Sequence, residues 1–185
     1  RIIFFPWCSS RKSYNNFNAI ILRYFNPIGA HPSGLIGELP IDTPQNLLPY
    51  ITQTAIGKRE CLFVFGNDYN TPDGSCIRDY IDVVDLSKAH IIALERLLNK
   101  NNTDNLEIYN LGTGNGLSVL EIIKIFEEVS NTKLNYKIVN RRPGDVEKIY
   151  GSPEKANKIL GWQSTTPIHD TIQNAWKWEQ NLQNI

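Results

Sequence analysis

The chain has 185 residues, with 19 basic and 19 acidic side chains, three His, three Cys and no Met. A formal net charge of zero argues against the basic footprint of a nucleic-acid binder and against a polybasic membrane-surface protein. The 41% apolar fraction excludes a disordered chain, and the length holds one medium domain with a real core, or one and a half.

A chain that starts at Arg1 and lacks Met reads as a fragment, or as a mature segment whose beginning is missing. Cys8, Cys61 and Cys76 are odd in number, widely spaced and form no C-x-x-C. Zinc-ribbon, thioredoxin and disulfide-scaffold readings therefore fail, and cytoplasmic thiols are expected. The apolar stretch Ile2 to Trp7 is too short for a signal or a membrane span, and Pro6 interrupts it. Residues 1–18 carry no assignable element.

From Ala19 the elements are legible in chain order. Ala19 to Tyr24 is a short, nearly continuous apolar run, predicted as a buried parallel strand that feeds a Gly/Pro-rich loop to Pro40. Leu47, Leu48, Ile51, Thr54, Ala55 and Ile56 share a helical face, with Asn46 as N-cap and Gly57 as stop. Leu62 to Phe65 is a strand, and Gly66 to Ser75 a turn-rich excursion. Asp85 to Asn99 is a helix and Leu106 to Leu111 a strand. Ser118 to Glu121 is a capping box that opens a helix to about Val129. Asn135 to Val139 is a strand, and Ser152-Pro153-Glu154 starts a short helix closed by Gly161. Thr166-Pro167 starts a last helix with Ile168, Ile172, Ala175 and Trp176 facing inward. Strands alternating with helices give an α/β or α+β class.

Four motifs bear on chemistry. Gly112-x-Gly114-x-Gly116 lies between a strand and a helix, but Leu117 occupies the place of the third fingerprint Gly. A tight strand–helix turn is the favoured reading over a phosphate cradle. His31, His90 and His169 are scattered, without metal-ligand spacing or a G-x-S-x-G elbow. Arg78-Asp79-Tyr80 and Arg141-Arg142-Pro143-Gly144-Asp145 are Arg-bearing segments. Converging, they would grip a diphosphate through guanidinium forks; otherwise they pair with Asp79 and Asp145 at the surface. Tyr24-Phe25-Asn26-Pro27 follows a strand, where ligands bind in parallel sheets. Its aromatics would wall a ring or plug the strand end.

Taken together, the order of segments carries a resemblance. The segments are RYFNPIGAHPSG from Arg23, NLLPY from Asn46, FGNDYNTPDG from Phe65 and RDYI from Arg78. YNLGTG from Tyr109, RRPGD from Arg141, Gly161-Trp162 and Trp176-Lys177-Trp178 complete the set. From about Ala19 to Leu182 the chain resembles the C-terminal half of the UDP-glucose 4-epimerase family. These are NAD-dependent isomerases of galactose metabolism and members of the extended short-chain dehydrogenase/reductases. The loops GAHPSG and FGNDYNTPDG argue against a 4,6-dehydratase.

The resemblance implies a Rossmann-type α/β fold: a small α+β substrate domain with leftover strands of the NAD-binding sheet, over residues 19–185. It implies exchange of UDP-glucose and UDP-galactose through a 4-keto sugar, with NAD taking and returning the hydride. Tyr24, Phe25 and Pro27 match positions that border the nicotinamide end. Asn26 and Asn46 match UDP-sugar contacts, and Phe63, Val64 and Phe65 the uracil cradle. Arg78 and Arg142 match the diphosphate arginines, and Asp145 the ribose contact. Ile149 matches the residue that gates N-acetylated sugars, and Asp82 stands where relatives often carry His.

The family's Gly-rich NAD loop and Y-x-x-x-K pair are not found here, since Tyr14 is followed four residues later by Asn18. No catalytic residue is therefore assigned, and the chain alone is expected to be inactive. The family is commonly dimeric through helices of the other half, which argues against dimerisation of this piece.

Overall fold

The computed structural model describes residues 17–184. The readings of residues 1–16, including Cys8 and Tyr14, lie outside the described residues. The described residues fold into short, mostly parallel strand pairs and four α-helices. Strand β1 (Ala19–Tyr24) pairs in parallel with β6 (Leu106–Leu111), in register from Ala19 opposite Leu106 to Tyr24 opposite Leu111. Both strands fall where the sequence places them. β1 is half-buried rather than buried, because β6 is its sole strand neighbour among the described residues.

Asn26–Ile28 forms a second strand, β2, where the sequence suggests only loop. It pairs in parallel with β5 (Tyr80–Asp82). β3 (Leu62–Phe65) pairs in parallel with β8 (Tyr136–Val139). β4 (Ile77–Arg78) lies between β7 (Leu117–Ser118) and β9 (Lys148–Ile149), antiparallel to the first and parallel to the second. These strands of two or three residues have too few residues to show a period, so their partners define them.

Helix α1 (Leu47–Ala55) starts after Asn46, which has the extended backbone of an N-cap. Its amide does not cap the helix and donates instead to Glu38 Oε1 at 2.7 Å. Helix α2 (Val83–Leu98) begins two residues before the predicted start. The reason is Asp82, whose carboxylate accepts the Val84 and Asp85 amides as a true cap. Helix α3 (Val119–Ser130) carries the predicted capping box between Ser118 and Glu121. Residues Ala156–Leu160 form a π-helical turn that ends at Gly161, with φ of 66°. Helix α4 (Ile168–Asn181) buries Ile172 and Ala175, with Ile168 and Trp176 packed against the same core.

Two apolar clusters hold these elements. One joins Leu48, Ile51, Val64, Ile122, Phe126 and Ile172 across α1, β3, α3 and α4. The other joins Ile81, Leu86, Ala89, Tyr109, Leu111 and Trp162, with Ile20 and Leu22 of β1 against it. Side chains of this size contribute about 1.5–3 kcal/mol each when fully buried. The first cluster also takes in Ile28 of β2, Leu62 of β3 and Tyr80 of β5, and so backs the strands that line the cleft.

Candidate functional site

A cleft of about 310 Å³ opens between β2, β3, β4 and the start of α1. That volume lies at the lower end of ordinary ligand pockets. Asn26 and Pro27 of β2 line it, as do Asn46, the three residues Phe63, Val64 and Phe65, and Arg78, Arg142 and Asp145. Strand alternation explains the β3 wall: Leu62 and Val64 are buried in the core, while Phe63 and Phe65 are 46% and 39% exposed. Their rings offer an apolar flat surface beside polar groups.

The charged wall is built from two segments far apart in the sequence. β4 carries Arg78 and the loop after β8 carries Arg142 and Asp145. Arg78 Nη2 lies 2.5 Å from Asp145 Oδ1, with side chains 13% and 27% exposed. Arg78 Nη1 also donates to the Ile77 carbonyl at 2.8 Å. The Cys76 thiol sits 3.7 Å from the other Asp145 oxygen. Arg142 has no carboxylate partner among the described residues, and its guanidinium stands 5.1 Å from the Phe65 ring centre. Two cations and one anion thus share a partly enclosed wall. An oxyanion can meet Arg142 directly, and a vicinal diol can donate to Asp145.

Other expected positions lie apart. Tyr24 is 47% exposed and meets His90 edge-on at 6.0 Å. Phe25 turns its ring onto Gly151, where a Cβ would collide with it. Ile149 pairs in register with Arg78 but is not part of the cleft lining. The sequence reading left out Tyr50, Tyr80 and residues 43–45, which also line the cleft. Tyr50 was visible as a residue of the NLLPY segment, whereas Tyr80 is buried and reveals its place only through β5. Burial holds the Tyr80 phenol above its ordinary range, and it stays neutral at physiological pH.

The Gly112–Gly114 turn is not a phosphate cradle. Asp79, fully buried, accepts the amides of Thr113 at 2.9 Å, Gly114 at 3.3 Å and Gly151 at 3.4 Å. Gly112 packs so closely on this carboxylate that a Cβ would strike Asp79 Oδ2. The turn therefore already holds an anion of its own. Among the described residues, no group of three or more His, Cys, Asp or Glu is placed to hold a metal ion. No helix of the described residues is long and apolar enough to cross a membrane.

A family model described as GDP-mannose 4,6 dehydratase matches residues 7–175. The chain belongs to this family. Within it, the chain is 56% identical over 163 residues to the UDP-glucose 4-epimerase of Dictyostelium discoideum, covering 88% of this chain and 47% of that protein. The fold matches UDP-glucose 4-epimerase from Stenotrophomonas maltophila, solved with NAD and formylated UDP-arabinopyranose, with a TM-score of 0.86 and 43% identity. It also matches the Bifidobacterium longum enzyme, solved with NAD+ and UDP, with a TM-score of 0.84 and 43% identity. Each structural match covers 90% of this chain and 49% of the other. The chain thus spans about half the length of the relatives it matches. Although the family model is named for a dehydratase, these relatives are epimerases, as the loop sequences suggested.

Proposed function

We propose that residues 19–185 are the UDP-sugar-gripping part of a UDP-glucose 4-epimerase. The carrying observation is the convergence of Arg78, Arg142 and Asp145 on one cleft beside Phe63 and Phe65. In this reading Phe63 to Phe65 cradle the uracil, Asp145 accepts the ribose hydroxyls, and the two arginines offset the diphosphate. Asn26 and Asn46 meet the sugar, with Asn46 held by Glu38. Grip on the nucleotide is remote binding energy, which fixes the sugar relative to the reacting centre. UDP-glucose and UDP-galactose share that nucleotide.

NAD would supply hydride removal and return at sugar C4. Pro27, in the cleft wall, fits a border to its nicotinamide end, with Tyr24 and Phe25 just before it. The Gly112 turn does not fit its pyrophosphate, because Asp79 fills it. The sequence holds no Y-x-x-x-K, so we expect no epimerase activity from this chain by itself. Incubation with NAD and UDP-galactose is expected to give no UDP-glucose; its formation would refute this part. The described cysteines, Cys61 and Cys76, are free, in keeping with a cytoplasmic setting. The dimer of the whole enzymes is not expected from this chain, and sedimentation would test that.

Calorimetry tests the grip. UDP is expected to bind, and Arg78→Ala or Arg142→Ala to weaken it at least tenfold, as loss of a charge-assisted contact does. Absence of heat, or affinity indifferent to both arginines, would sink the assignment.

A further inference from the structure

Arg141 and Arg142 are neighbours, yet the structure uses them differently. Arg141 Nε lies 2.7 Å from Asp68 Oδ1, and its Nη2 donates to the Asp68 carbonyl at 2.5 Å. Its guanidinium stacks 4.1 Å from the Tyr69 ring centre. Gly66, with φ of 80°, makes the space: a Cβ there would lie 2.5 Å from Tyr69 Cε2 and 3.0 Å from Arg141 Cγ. Side chains of this pair are 47% and 67% exposed, so the bridge adds little stability. Three restraints on one exposed arginine fix geometry instead.

The seat beneath Arg141 is itself braced. Tyr69 N donates to the Gly74 carbonyl at 3.1 Å, and Asn70 N to Glu147 Oε2 at 3.1 Å. Beyond Arg141, Pro143 restricts the backbone of Arg142 to extended conformations. Asp145 N then donates to the Arg142 carbonyl at 3.1 Å, closing the turn. Arg142 is thus held from both sides while its own guanidinium has no carboxylate partner among the described residues.

We propose that Arg141 is a positioning residue that, through the Gly66–Gly74 excursion, aims Arg142 at a phosphate group in the cleft. This rests on the UDP-sugar reading above. An arginine aimed in advance loses less rotamer freedom on binding.

The test is calorimetry of the 185-residue chain with UDP and with uridine. Arg141→Gln is expected to weaken UDP roughly five- to tenfold and to leave uridine within about twofold. Arg142→Ala and the double variant Arg141→Gln/Arg142→Ala are expected to bind UDP equally, because Arg141 acts only through Arg142. Asp68→Asn, which removes the carboxylate charge but keeps the guanidinium and its bond to the Asp68 carbonyl, is expected to shift UDP in the same direction by less, and decides the matter should Arg141→Gln not fold. Unchanged UDP affinity, equal losses for UDP and uridine, or losses that multiply in the double variant would overturn the proposal. No UDP binding by the unmodified chain would instead defeat the nucleotide reading beneath it, and the proposal with it.

Discussion

The Asp79 carboxylate accepts the Gly114 amide at 3.3 Å, and so occupies the glycine turn where a phosphate would otherwise sit. It ties three segments together, because the Thr113 and Gly151 amides converge on the same side chain. Asp79→Asn keeps the shape but replaces an acceptor oxygen by a donor that faces other donors. Urea unfolding is expected to show a loss of about 2–3 kcal/mol, from buried amides left unsatisfied. A loss under about 0.5 kcal/mol, the level of ordinary surface changes, would show that the turn holds without it.

Arg78 and Asp145 form a second link. Their pair is only partly exposed, so solvent screens it less than a surface bridge. A double-mutant cycle with Arg78→Met and Asp145→Asn is expected to give a coupling of about 1–2 kcal/mol in stability. Zero coupling would mean that the two charges are independently solvated and that the cleft wall is not preorganised.

Much of the fold was legible because β1, β3, β6 and β8 are runs of four to six residues rich in β-branched, aromatic and other apolar side chains, and the helices carry a clear period. β2, β4, β5, β7 and β9 were not, since strands of two or three residues exist only through partners far along the chain. The start of α2 was misplaced for a related reason. Asp82 is simultaneously the end of β5, the helix cap and the acceptor of the Thr171 hydroxyl at 2.9 Å. At the site, residue chemistry alone left Arg78 open between a phosphate grip and a surface pair. The structure pairs it with Asp145 inside the cleft and turns its sequence neighbour Asp79 the other way. That split within one dipeptide follows from the junction between β4 and β5, where Asp79 faces away from Arg78 and no spacing rule displays it.

Acid is expected to unfold the chain through two buried carboxylates. Arg96, at 2.7 and 2.9 Å, is the main cause of the fall of Glu107 to about 2, helped by the Thr103 amide and the Tyr109 hydroxyl. Burial pushes Asp85 up, but Lys88 and the Thr166 and Thr165 amides outweigh it and bring it to about 2. Both groups are held below their ordinary values of 4.5 and 3.8. Their stabilisation is therefore complete above about pH 4.5 and is lost as pH falls toward 2, on the order of 2 kcal/mol each. Urea midpoints measured from pH 6 to pH 2.5 should decline across that window. Glu107→Gln should flatten the decline; an unchanged slope in this variant would remove Glu107 from the explanation.

Ile91, Leu94 and Leu98 of α2 are 58%, 56% and 71% exposed and lie three, four and seven residues apart, on one helical stripe. β1 and β6 form a two-stranded parallel sheet among the described residues, an arrangement rarely stable without further cover. Unpaired strand edges and apolar stripes promote association. Light scattering is expected to rise with concentration in the micromolar to millimolar range. Leu94→Lys/Leu98→Lys should lower that association while leaving UDP affinity unchanged, because neither residue lines the cleft. Scattering from the unmodified chain that stays monomeric throughout, with a single sharp melt, would show that these surfaces need no cover.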